Sequence, residues 1–86
     1  MASLAGKTAL VTGAMGGIGQ AIVARLQADG ATVVAADLNT ASTEANHGID
    51  GDLTDTAFTD GLPAQVQALT GRLDILCNNA GIIARG

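Results

Sequence analysis

Residues 8–37, TALVTGAMGGIGQAIVARLQADGATVVAAD, carry two hydrophobic periodicities with a run of glycines between them. Thr8 to Thr12 is short, apolar and partly β-branched, and it stops at Gly13; this predicts a buried strand. From Gly17 to Asp29 the apolar residues Ile18, Ile22 and Leu26 recur at every fourth position, with Ala21 and Ala28 nearby, which predicts one helical face. Gly30 follows where a helix closes in left-handed backbone. Ala31 to Ala36 is apolar throughout and ends at Asp37, a second buried strand. Strand, glycine turn, helix and strand make a βαβ unit, whose crossover is right-handed.

Beyond this unit the pattern weakens and then returns. Asn39 to Gly48 is polar and reads as a loop with room for one short helix. Gly48 to Gly51 can hold only a very short third strand before Asp52-Leu53. Thr54 or Asp55 can cap a helix starting near Thr56. Gly61 and Pro63 interrupt it, because proline removes an amide donor and clashes with the preceding turn. The expectation is a kink, or a restart with Pro63 in the first turn and Gln65 to Thr70 after it. Leu73 to Cys77 is a fourth strand, followed by Asn78-Asn79-Ala80-Gly81. Strands alternating with helices give the α/β class, with a doubly wound parallel sheet.

Composition agrees with buried parallel strands. Of the 86 residues 48% are hydrophobic but only 1% aromatic, so Ala, Val, Ile and Leu must build the core. A net charge of −4, with Lys7, Arg25, Arg72 and Arg85 scattered, argues against nucleic acid. No apolar run approaches the roughly 20 residues of a membrane span, and MASLAGKTALVTG lacks the layout of a secretion signal. The single cysteine, Cys77, forms no internal disulfide and reads as a small core residue; no Cys/His cluster suggests a metal. His47 stands in a polar stretch without a partner. A reducing, cytoplasmic setting is the expectation.

The glycine turn carries the chemistry. A turn without side chains lets backbone approach a pyrophosphate, and the helix it opens offers unpaired N–H groups and about half a positive charge. Gly13, Gly17 and Gly19 fit the pattern TGxxxGIG rather than G-x-G-x-x-G, and no Gly-Lys-Ser/Thr follows as in a P-loop. Asp37 lies 24 residues after Gly13, near the spacing at which a carboxylate meets the adenosine ribose. A 2′-phosphate there would oppose its charge, and no basic residue stands in the turn or just after Asp37. NAD is therefore favoured over NADP.

TGxxxGIG together with NNAG resembles the short-chain dehydrogenase/reductases. The resemblance implies a Rossmann-like domain over residues 1–86, holding about four of the family's seven strands. It implies NAD contacts at Gly13, Met15, Gly17, Ile18, Gly19, Asp37 and Leu38, with Met15 shielding the phosphates or packing locally. At Asp52 the family's carboxylate hydrogen-bonds the adenine amino group, assisted by backbone at Leu53; a helix cap is the rival reading of Asp52. Asn78, Ala80 and Gly81 border the cofactor, with Asn78 giving backbone contacts and Asn79 more structural. A methyltransferase also places an acid after its second strand, but the TGxxxGIG and NNAG pair argues against it.

The family's catalytic Ser, Tyr and Lys lie after NNAG, whereas this sequence has no tyrosine and its one lysine, Lys7, precedes the first strand. The expected reading is thus a fragment of an NAD-dependent oxidoreductase acting on a carbonyl or secondary alcohol. Its remainder lies elsewhere, in another chain for instance, and the whole assembles as a dimer or tetramer. A non-catalytic NAD-binding module is the competing class.

Overall fold

The computed structural model describes residues 3–79. Its elements are β1 (Thr8–Thr12), α1 (Gly17–Ala28), β2 (Thr32–Asp37), β3 (His47–Asp50), α2 (Thr56–Thr70) and β4 (Ile75–Asn78). The strands form one parallel sheet in the order β3-β2-β1-β4. From β1 the chain steps outward to β2 and β3, then returns across the sheet to the far side of β1. Right-handed crossovers in opposite directions place their helices on opposite faces. Accordingly Val11, Val33 and Ala35 pack with Val23 of α1 on one face. Leu10, Val34, Ala36 and Ile49 pack with Leu62 and Val66 of α2 on the other. β1 has neighbours on both sides and both faces, so all five of its residues are buried.

Helix α1 departs from the expected face by one turn. Its buried residues are Gly19 and Val23, flanked by half-buried Ile22 and Leu26, while Ile18 is 71% exposed. The row of every fourth residue therefore meets the sheet only from Ile22 onward. Gly30, at φ 100°, ends the helix in left-handed backbone as expected.

Between β2 and β3 the expected loop forms, without the short helix it had room for: residues 38–46 hold only turns, bends and irregular backbone. A crossover with its own helix takes roughly 10–12 residues, more than this connection has. Side chains hold it instead. Asn46 exchanges hydrogen bonds with Val33, its N–H donating to the Val33 carbonyl and its Oδ1 accepting from the Val33 N–H, both at 2.9 Å. Gln27 Nε2 donates to the Glu44 carbonyl and to Asn46 Oδ1.

Helix α2 does not restart at Pro63, one of the two outcomes expected there, but runs as one helix from Thr56 to Thr70. Asp55 caps it, its carboxylate accepting from the Ala57 N–H at 3.0 Å. Pro63 sits on the exposed side, while Leu62 and Val66 are 1% and 0% exposed against the sheet. The missing donor is thus a loss on the wet face, outweighed by burial on the dry one.

Strand β4 begins two residues later than expected, because Asp74 is used differently. Its N–H donates to the Thr8 carbonyl and its Oδ2 accepts from the Thr8 N–H, each at 2.9 Å, extending the β1–β4 ladder through a side chain. The Arg72 guanidinium and the Thr8 N–H hold the Asp74 carboxyl down to about 2. As the outer strand, β4 leaves Leu76 57% exposed.

Replacing Pro63 with Ala restores the missing donor on an exposed helical site and is expected to raise stability by about 1–2 kcal/mol. Urea unfolding checks this. A lower midpoint would mean that the proline ring, which borders the cavity described next, contributes more than the hydrogen bond it removes.

Candidate cofactor site

At the carboxyl ends of the strands, where β1 and β4 separate the two halves of the winding, lies a cavity of about 830 Å³. This volume is in the range of small-molecule sites, and the location is the switch point at which open α/β sheets bind ligands. Its rim comes from the strand ends and the loops that leave them: Thr12-Gly13, Gly16 to Ile18, Asp37-Leu38, Asp52 to Thr54 and Asn78-Asn79. Leu10, Leu62 and Leu76 make its apolar floor.

The glycine turn is shaped by two close constraints. Gly13 has φ 66°, which reverses the chain directly after β1 while its N–H still bonds the Ala36 carbonyl at 3.0 Å. Gly19, one turn into α1, rests on that reversal. A Cβ on it would collide with the Gly13 carbonyl oxygen and lie 2.7 Å from Ala14 Cα. Gly17 is different, since a Cβ there would meet nothing. Gly16, the residue before α1, has no side chain to cap the helix, and no acidic residue occupies the first turn. The first N–H groups of α1 therefore remain available at the cavity, with the positive end of the helix behind them.

Asp37 joins the acidic rim to this turn. Its Oδ2 accepts from the Met15 N–H at 3.0 Å and its Oδ1 from the Leu38 N–H at 2.8 Å. Met15 thus contributes through its backbone, and its side chain does not line the cavity. Ile18 and Leu38, 71% and 70% exposed, project at the cavity edge. Each Asp37 oxygen keeps a further lone pair, enough to accept from sugar hydroxyls.

The rival reading of Asp52 as the helix cap is removed, because Asp55 fills that position. Asp52 Oδ1 instead accepts from the Thr54 hydroxyl at 2.6 Å and the Thr54 N–H at 2.9 Å, and these donors lower its pKa. Its Oδ2 has no partner among the described residues. Leu53, half-buried, packs against the α2-side core beside it.

The fourth strand is tied back to the first. Thr12 Oγ1 donates to Asn78 Oδ1 at 3.0 Å, and Asn79 Nδ2 donates to the Gly13 carbonyl at 3.1 Å. Ala80 and Gly81 lie outside the described residues. The sequence did not mark Thr12, Gly16, Thr59 or Pro63 as site residues, yet all four line the cavity. Thr12 offered a signal as the polar residue that ends an apolar strand, and Gly16 as a member of the glycine turn. Among the described residues there is no group of three or more metal-ligating side chains, and no helix is long and apolar enough to cross a membrane.

A doubly wound parallel sheet with a glycine turn and a cavity at its switch point defines the Rossmann-like nucleotide-binding class. The chain belongs to the short chain dehydrogenase family, whose pattern matches residues 7–86. It is 40% identical over 90 residues to D-threitol dehydrogenase of Mycolicibacterium smegmatis, covering 92% of this chain and 35% of that protein. It is 34% identical over 92 residues to 2,3-dihydro-2,3-dihydroxybenzoate dehydrogenase of Bacillus subtilis, covering 94% and 35%. Among solved structures, 2-keto-3-deoxy-D-gluconate dehydrogenase from Streptococcus agalactiae superposes with a TM-score of 0.76 at 34% identity, covering 90% of this chain and 33% of that one. The 3-ketoacyl-(acyl-carrier-protein) reductase from Brucella melitensis, complexed with NADH, gives 0.75 at 32% identity, covering 86% and 34%. The chain spans about a third of the length of these relatives.

The two glycines of α1 separate in their expected effects. Gly17→Ala should leave stability within about 1 kcal/mol of the original protein, whereas Gly19→Ala should cost at least about 2 kcal/mol by overpacking. Urea unfolding of both variants checks this. Equal losses would show that the helix does not rest on the Gly13 carbonyl.

Proposed function

We propose that this chain is the NAD-binding part of an oxidoreductase that transfers hydride between the nicotinamide and a carbonyl or secondary alcohol. One observation carries the reading: the uncapped N-terminus of α1 and the Asp37 carboxylate face the same cavity from adjacent strand ends. The residues fit the cofactor. The first-turn N–H groups near Gly17 and Ile18 suit the pyrophosphate, where an open Cβ direction at Gly17 leaves space. Asp37, held by Met15 and Leu38, suits the ribose hydroxyls, and Asp52 with its spare oxygen suits an adenine amino group next to Leu53. Asn78 lines the cavity at the end of β4 and suits the cofactor's border, a role the family resemblance extends to Ala80 and Gly81. Bound there, NAD would supply the hydride acceptor; the protein groups named here only bind and orient it.

Charge argues for NAD rather than NADP. A like-charge pair at 4 Å repels by about 4 kcal/mol at an effective dielectric near 20, and among the described residues no Lys or Arg lines the cavity. The NADH of the Brucella melitensis reductase is consistent with that preference. By family analogy, the acid–base group is a Ser with a Tyr and Lys in a further part of the enzyme, in the same chain or another. By the same analogy the assembly is a cytoplasmic homodimer or homotetramer. A non-catalytic NAD-binding module that uses the same site is the second reading.

The expected outcome is tighter binding of NAD than of NADP by at least about tenfold, measured by calorimetric titration at fixed ionic strength. Asp37→Ser combined with Leu38→Arg should relax or reverse the preference. Equal affinities of the original protein for both cofactors would refute the role given to Asp37.

A further inference from the structure

Two segments that border the adenosine end of the cavity, Asp37-Leu38 and Asp52-Leu53, leave the ends of neighbouring strands β2 and β3. Between them the connection of residues 38–46 has no helix to fix its course. Its one deeply buried residue is Thr40, 6% exposed, although it is polar and lies in a polar stretch. Both of its donors go to one atom: the Thr40 N–H and hydroxyl bond Asp50 Oδ1 at 2.8 Å and 2.6 Å. Thr40 also lies directly on Gly48 of β3, where a Cβ would collide with its hydroxyl oxygen and stand 2.8 Å from its Cβ. Asp50 is the last residue of β3, paired in register with Asp37 at the end of β2, and the Gly51 N–H bonds the Asp37 carbonyl.

We propose that Thr40 and Asp50 are positioning residues, a staple that holds the Asp37-Leu38 turn against the Asp52-Leu53 turn and so presets the adenosine end of the site. The inference rests on the nucleotide-binding reading above and names residues two or three positions outside the cavity wall. Three features support it. The staple spans the two rim segments, each partner lying two residues from one of them. Gly48 provides a seat that any side chain would fill. The Thr40 hydroxyl and then its N–H hold the Asp50 carboxyl below the usual carboxylate range, so the acceptor is charged at neutral pH. Without the staple the turn samples other courses, and apparent affinity falls by the fraction of time it is misplaced.

The test is calorimetric titration of the full chain with NAD and, separately, with AMP, which carries only the adenosine end. Thr40→Val keeps shape and loses the hydroxyl; it is expected to weaken both ligands by about tenfold. Thr40→Ser retains both donors and is expected to restore affinity to within about twofold, a rescue that a purely volumetric role for Thr40 would not give. If Thr40→Val does not fold, Asp50→Ala decides, because Asp50 is exposed and its loss leaves no cavity. Normal NAD affinity in the decisive variant, or a Thr40→Ser variant as weak as Thr40→Val, would overturn the staple and leave the site reading intact. No binding of NAD or AMP by the original protein would overturn the site reading, and the staple with it.

Discussion

The carbonyl oxygen of Gly13 is the atom at which the structure is joined. The left-handed turn at Gly13 points it where three separate elements can use it. The Gly16 N–H approaches it at 3.4 Å and closes the turn, and Asn79 Nδ2 bonds it at 3.1 Å and anchors the end of β4. The bare Cα of Gly19 lies against it, which lets α1 pack closely on the strand it follows. The approach of α1 to β1 and the shape of the cavity mouth depend on these contacts, while the ladder from Ala9 to Thr12 sets the spacing of β1 from β4. A side chain at position 13 would strain the turn, and one at position 19 would lift the helix. The glycines of the motif therefore divide between two tasks, packing at Gly19 and open approach at Gly17.

The rim makes electrostatic sense for a chain of net charge −4. Its carboxylates at Asp37 and Asp52 are held in place by N–H and hydroxyl donors. The positive contribution comes from the first turn of α1, which no side chain caps. One end of the cavity thus suits anionic oxygens and the other suits neutral hydroxyl and amino donors. A dinucleotide presents those groups in that order.

Much of this was legible in the sequence where a residue acts through its backbone or a strict period. TGAMGGIG between a strand and a helix gave the turn, and alternating strands and helices gave the parallel sheet. Errors arose where tertiary burial overrode local rules. Pro63 has the chemistry of a helix breaker, but Leu62 and Val66 on either side of it are buried, and the helix continues. Ile18 has the spacing of a core residue, but Gly19 brings α1 so close to β1 that Ile18 is turned out to the cavity. The Thr40–Asp50 pair was illegible because only the register of β3 against β2 brings the two together. The same holds for Asp74 and Thr8, which meet only once β4 lies beside β1.

The central claim is that the strand ends around the β1–β4 switch point bind a dinucleotide with its phosphates at α1 and its ribose at Asp37. Amide chemical-shift mapping of the protein titrated with NAD tests it most directly. The account predicts the largest changes at the N–H groups of Gly16 to Gly19, with Met15 and Leu38, whose N–H groups hold Asp37, shifting at the same NAD concentration. The amino ends of the strands, at Lys7 and Thr32, should stay unperturbed. Changes centred on those amino ends, or saturable binding that leaves Gly17 and Ile18 unmoved, would contradict it.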